Sequence, residues 1–156
     1  MDIYSKMFSK AFVLNEQIAR QIFQTIPEQG PVVMIIDPEG NCWPSDTEAY
    51  HKLNIHESFL KEMCGKIDDG AEPLIMNEND CSFVASQLIT DKNNCGYIII
   101  ALPKFTPESI MANINLIEML LNQFSLIARL IEKNNHFYEI HAKRYVSDNY
   151  ENISLN

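Results

Sequence analysis

The chain is 156 residues long, with 46% hydrophobic and 21% charged residues and twelve Gly plus Pro. That composition fits one folded domain with a core large enough to need no disulfide or metal staple, and it excludes collagen-like and low-complexity chains. The formal charge of −9 excludes nucleic-acid binding through a general basic surface.

The charge is concentrated in the middle of the chain. Residues 31–82 hold eleven acidic and three basic groups, while the segments on either side are nearly neutral. Such a segment keeps a protein soluble and disfavours phosphate-rich ligands nearby. The N-terminal residues Met1 to Lys6 lack the basic-then-apolar pattern of a secretory signal. No apolar run reaches the length of a membrane span without polar interruption. A cytoplasmic location with free thiols at Cys42, Cys64, Cys81 and Cys95 is therefore expected, with no membrane partner.

Residues 5–26 read as an amphipathic helix, with Phe8, Phe12, Ala19, Ile22 and Ile26 in 3–4 spacing, Asn15 breaking the stripe and Pro27 ending it. Val32 to Ile36 is an unbroken, β-branched run that suits a strand buried on both faces. Asp37-Pro38-Glu39-Gly40 is a turn: Asp accepts backbone bonds, Pro presets φ and Gly takes positive φ. Asn41-Cys42-Trp43 returns as a short strand cut by Pro44. Residues 46–64 read as two short helical pieces that start at Ser45 and Asn54, each three residues before a Glu, and stop at Gly65. Leu74–Met76, Cys81–Ile89 and Gly96–Leu102 are predicted strands, the last two joined by a polar hairpin at 90–94. Thr106-Pro107-Glu108 opens a helix with no Gly or Pro through Val146. Residues 5–146 thus form one domain, and the polar residues 147–156 a disordered tail.

The order is α-β-β-α-β-β-β-α. Hairpin-like connections make the sheet mostly antiparallel, an α/β (α+β) class with about five strands. The terminal helices cover one face, and the short middle helices cover the other, with a cavity expected between them and the sheet.

The last helix carries two apolar stripes. Ile110, Ile117, Leu121, Phe124, Ala128 and Ile131 form a heptad seam. Leu116, Leu120, Ile127 and Leu130, flanked by Met119 and Leu126, form a second. One sheet buries one stripe, so the second needs the N-terminal helix, another subunit, or both; a homodimer is expected, with Ile117, Leu121, Phe124 and Ile131 as its interface.

This order resembles the GAF fold of small sensor modules. Val32 to Gly40 looks like the apolar–Asp–Pro–acid–Gly hairpin of GAF and PAS sensors. Cys95-Gly96-Tyr97-Ile98-Ile99-Ile100 resembles the late GAF strand, and Leu116 to Glu132 is similar to the exit helix after it. The resemblance spans roughly residues 8–134. It implies a regulatory homodimer that takes a small molecule or a signalling protein partner. The Asn-Lys…Phe…Asp-Glu signature of cyclic-nucleotide binders is absent, and so is the Cys-His pair of bilin binders, since Gly65 follows Cys64. A roadblock or profilin-like scaffold without ligand has a similar element order. A third alternative is a thiol enzyme like the GAF-type methionine sulfoxide reductases, which use several cysteines.

Candidate ligand-binding residues are Trp43, the lone Trp, with Cys64, Gln87 and Tyr97 as polar groups in an apolar setting. Cys42, His51, His56 and Cys64 lie close in sequence, but intervals of eight, four and seven residues match no zinc knuckle. No metal, cofactor or catalytic residue is assigned: there is no G-x-S-x-G and no Walker loop.

Overall fold

A computed structural model of the chain describes residues 14–90 and 94–153. The expected residues 5–13 of the first helix, the tip of the 90–94 loop and the last three residues of the tail lie outside the described residues.

The first helix, α1, runs Glu16–Phe23. Asn15 is its N-cap rather than a break in its stripe: the side chain accepts from the Ile18 N–H at 3.0 Å, satisfying one of the donors a helix start leaves unpaired. Strands β1 (Val32–Ile36) and β2 (Cys42–Pro44) follow, joined by the turn the sequence predicts. Asp37 accepts from both the backbone and side-chain nitrogens of Asn41 at 2.8 Å, and Gly40 has φ +92°.

The middle helices are α2 (Thr47–Leu53) and α3 (Glu57–Asp68), each set differently from expectation. Asp46 rather than Ser45 caps α2, accepting from Ala49 N–H at 2.9 Å. The Ser45 hydroxyl instead accepts from Val33 N–H at 2.9 Å, which ties the helix entry to β1. Asn54 does not start α3. It ends α2 in the left-handed conformation (φ 49°), which Asn tolerates better than most residues. Gly65 does not stop α3, which continues through it to Asp68.

Strands β3 (Leu74–Glu78), β4 (Cys81–Ile89) and β5 (Asn94–Leu102) complete a five-stranded, fully antiparallel sheet of order β2-β1-β5-β4-β3. The β3–β4 hairpin turns on Asn79 and Asp80, both at positive φ, as a two-residue hairpin turn demands.

The last helix is interrupted once. A short α4 (Pro107–Ala112) is capped by Thr106 and Ser109 reciprocally, and α5 runs Ile114–Ile153. Asn113 separates them: its side-chain nitrogen donates to Ser109 O at 2.9 Å, while its own carbonyl receives the first bonds of α5. An Asn that bonds the local backbone competes with helix continuation. The expected disordered tail is corrected for residues 147–153, which belong to α5.

Both faces of the sheet are buried, as the apolar runs at both parities imply. On one face Val33, Ile35, Val84, Leu88, Ile98 and Ile100 pack beneath α1, α4 and α5. On the other, Met34, Phe83, Ala85, Ile99 and Ala101 pack beneath α2 and α3.

Two glycines have opposite roles. Gly96 sits at φ +137°, and a Cβ there would collide with the Ile36 carbonyl oxygen at the end of β1. Gly65 is exposed, mid-helix, with open space around it. Gly96→Ala is expected to cost at least about 2 kcal/mol. Gly65→Ala is expected to gain about 0.5–1 kcal/mol from helix propensity. Urea denaturation of both variants checks the pair.

Candidate functional site

The four candidate ligand residues do not meet in one place. Strand alternation puts Cys42 on the α3 side of β2 and Trp43 on the opposite side, against the α1/α5 core. Tyr97 and Cys64 do share the α3 side. Gln87 is the cross-strand partner of Tyr97, so it faces the same way. Its backbone N–H, beyond the last β3 pair, donates to Glu72 Oε1 at 2.9 Å. Gln87 therefore stands where the sheet edge is closed by a side chain.

The expected cavity beneath the middle helices is filled. Met63 and Ile67 of α3 are 0% and 1% exposed, and Phe59 meets Phe83 edge-on with ring centroids 5.2 Å apart. At the rim of this packing lies a small polar network. The Tyr97 hydroxyl donates to both Asp68 carboxylate oxygens at 2.7 and 2.8 Å, pinning β5 to the end of α3. Cys42, Tyr50 and Cys64 sit beside it.

The network disfavours ionised thiols. Burial, then the neighbouring Cys64, push the Cys42 pKa up to about 11, with the Tyr50 hydroxyl pulling partly the other way. Burial, then the Asp68 charge, push Cys64 up to about 11 as well. Burial also raises Cys81 and Cys95. A thiol enzyme needs an exposed, acidified cysteine, and each of these four is shifted in the opposite direction. Tyr97 is raised to about 12 by burial, then by its bond to Asp68. Among the described residues no three Cys, His, Asp or Glu side chains converge as a metal site. His51 and His56 are exposed, with His56 Nδ1 3.5 Å from Glu78 Oε1.

The other face carries what the sequence reasoning missed. A cavity of about 230 Å³ lies where the loop after α1 crosses between the sheet and α5. Ile26 and Pro27 close one side, Val33, Val84 and Ile100 form the floor, and Ile117 and Phe124 the far wall. It is framed by residues distant in sequence, so no local motif announces it.

The two stripes of the last helix are assigned the opposite way from expectation. Leu121 and Ala128 are 3% and 0% exposed, and Ile117, Phe124 and Ile131 pack partly buried on the same core. The seam taken for a dimer interface is the one that holds α5 on its own sheet. The outer stripe is open: Leu116, Leu130 and Phe137 are 54%, 57% and 59% exposed, with Met119, Leu126 and Ile140 also exposed.

Residues 114–144 of α5 are long and apolar enough, by length and composition, to cross a membrane. Leu121 and Ala128 are buried against the sheet while most of the segment's surface is not, and one such helix is weak evidence for a span. No family model, curated protein or solved structure matches the chain.

The thiol and phenol shifts make the fold alkali-sensitive. A raised pKa means the folded state favours the protonated group, so this stabilisation is whole below the ordinary value and lost as pH rises through the folded one. For Cys42 and Cys64 that window runs from pH 9 to about 11, and for Tyr97 from pH 10 to about 12. The thermal midpoint, followed by circular dichroism, is expected to hold from pH 7 to 9 and fall above it. Cys42→Ala with Cys64→Ala should flatten the pH 9–11 part; an identical slope in that variant would remove the thiols as its cause.

Proposed function

We propose that this chain is a small cytoplasmic regulatory module of the GAF-like sensor type that works as a homodimer and passes its state to a signalling partner through its last helix. The observation that carries this reading is the outer stripe of α5. Leu116, Met119, Gln123, Leu126, Leu130, Lys133, Phe137 and Ile140 step by three and four throughout, the spacing of a coiled-coil seam. The stripe lies opposite the residues that hold the helix on the sheet.

The order of residues along the stripe also favours one orientation. It reads the same in both directions about its midpoint: apolar, apolar, polar, apolar, then apolar, polar, apolar, apolar. Antiparallel pairing puts Leu126 on Leu130, Met119 on Phe137 and Leu116 on Ile140 of the second copy, with Gln123 facing Lys133. The antiparallel arrangement also uses the part of α5 that extends past the sheet, laying it on the sheet-backed half of its partner.

The element order, the Asp37–Gly40 turn and the free state of all four cysteines support the sensor-type, cytoplasmic reading. One observation favours a second reading, an interaction scaffold of the roadblock or profilin-like kind. The face beneath α3 is closely packed around Phe59, Met63 and Ile67, which leaves little room at the place the family resemblance implies.

Light scattering after size exclusion tests the dimer. Wild type is expected at twice the 17.9 kDa chain mass. Leu126→Glu with Leu130→Glu should give the single-chain mass with unchanged helix content, because both side chains are exposed in one copy. Leu121→Asp should instead unfold the domain, since it places a charge in the core. A wild-type monomer at high micromolar concentration would overturn the reading.

A further inference from the structure

We propose that the cavity between the loop after α1, the sheet and α5 is a binding site for a small, uncharged, mainly apolar molecule, about the size of an indole or an eight-carbon alcohol. The proposal deepens the regulatory reading and rests on it only for the link from cavity to dimer seam.

Size comes first. The cavity measures about 230 Å³. A space of about 150 Å³ lined by Leu, Ile and Phe stays dry and takes up benzene, so this one accommodates a somewhat larger ring or a short chain.

The lining then sets the chemistry. The walls are aliphatic and aromatic, and among the described residues no Asp, Glu, Lys, Arg or His side chain contributes to them. A charged ligand would lose its hydration there with no counter-charge to replace it. Two polar side chains border the space. The Thr25 hydroxyl already donates to Ile22 O at 2.8 Å, which leaves it only acceptor capacity. The Gln123 amide, exposed at the helix surface, offers both a donor and an acceptor. A ligand with one neutral polar group therefore fits with that group at Gln123 and its apolar body inside.

The walls are also preformed. The loop is fixed by Pro27 and Pro31, and Gly30 N–H donates to Pro27 O at 2.8 Å. Gly30 is packed so closely that a Cβ would lie 2.8 Å from Ile26 Cγ2. A site that needs no ordering on binding spends less of its interaction energy on entropy.

The position ties the site to the seam. Gln123 belongs to the outer stripe of α5, and Leu120 and Ile127, which also line the cavity, flank that stripe. A molecule lodged here touches the residues that a second copy would meet, so occupancy and dimerisation are linked wherever it prefers one state.

The test is a methyl NMR titration of the full chain with n-octanol, with octanoate as the charged counterpart and light scattering on the same samples. Saturable shifts centred on Ile26, Ile100, Ile117 and Ile127 are expected, with octanoate weaker by at least about tenfold. Val84→Phe, which fills the floor, should abolish them; Val33→Ile, a milder filling, should weaken them if the first variant does not fold. Absence of saturation, shifts confined to Leu116, Leu126 and Leu130, or equal binding of octanoate would overturn the site. So would uptake of octanol only by the Leu126→Glu, Leu130→Glu variant, which would show that the second copy's side chains fill the space. A single-chain mass with saturable octanol binding supports the site and defeats the dimer instead.

Discussion

The structure depends on a mismatch of lengths. At about 1.5 Å per residue the forty residues of α5 reach about 60 Å. The nine residues of β4, the strand it packs against, reach about 30 Å. A helix longer than the sheet it covers can bury one stripe over only half its length. The buried stripe ends near Ile131, where the sheet ends, but the apolar pattern continues to Phe137 and Ile140 on the opposite side. The same helix is a core element on one side and an open surface on the other, and both the fold and the proposed assembly follow from that division.

The two faces of the sheet are used differently. Beneath α3 the packing is dense, and its rim is closed by Tyr97 and Asp68, with Cys42 and Cys64 held protonated beside them. That face stabilises the domain and fastens β5, the strand that Gly96 lets approach the end of β1. Beneath α5 the packing is looser and leaves the cavity walled by Ile26, Val33 and Ile117. The acidic excess of residues 31–82 falls mainly on α2, α3 and their connections, so the surface near the cavity is the less charged one.

Much of the fold was legible in the sequence for local reasons. Unbroken apolar runs marked β1 and β5 as central strands, and Asp37-Pro38-Glu39-Gly40 carried its own turn chemistry. Thr106-Pro107-Glu108 announced a helix start. What was misread involved residues whose role depends on a partner elsewhere. Ser45 fits a capping box by spacing, yet its hydroxyl is taken by β1, and Asp46 caps instead. Asn113 interrupts a helix without Gly or Pro through a side-chain bond that spacing does not reveal. Trp43, as the lone Trp, and Tyr97, as a polar tip in an apolar strand, both suit a pocket by type, but the face each takes depends on the register between strands. The two stripes of α5 were visible, but periodicity does not say which of two apolar faces meets the sheet. The cavity had no sequence signal at all, since its walls come from three strands, one helix and the loop after α1.

The central claim is that two copies meet along the outer stripe of α5 in antiparallel order. Pulsed electron resonance between spin labels measures it directly, with one label per chain at Glu118→Cys or at Ser125→Cys in a background lacking the four native cysteines. Antiparallel pairing centred on Ala128 predicts a distance between copies of about 35 Å at position 118 and about 20 Å at position 125, from the rise of the helix, the spacing of packed helices and the outward reach of the label side chains. Short, nearly equal distances at both positions would show a parallel pair and contradict the orientation; no dipolar signal at either would contradict the dimer itself.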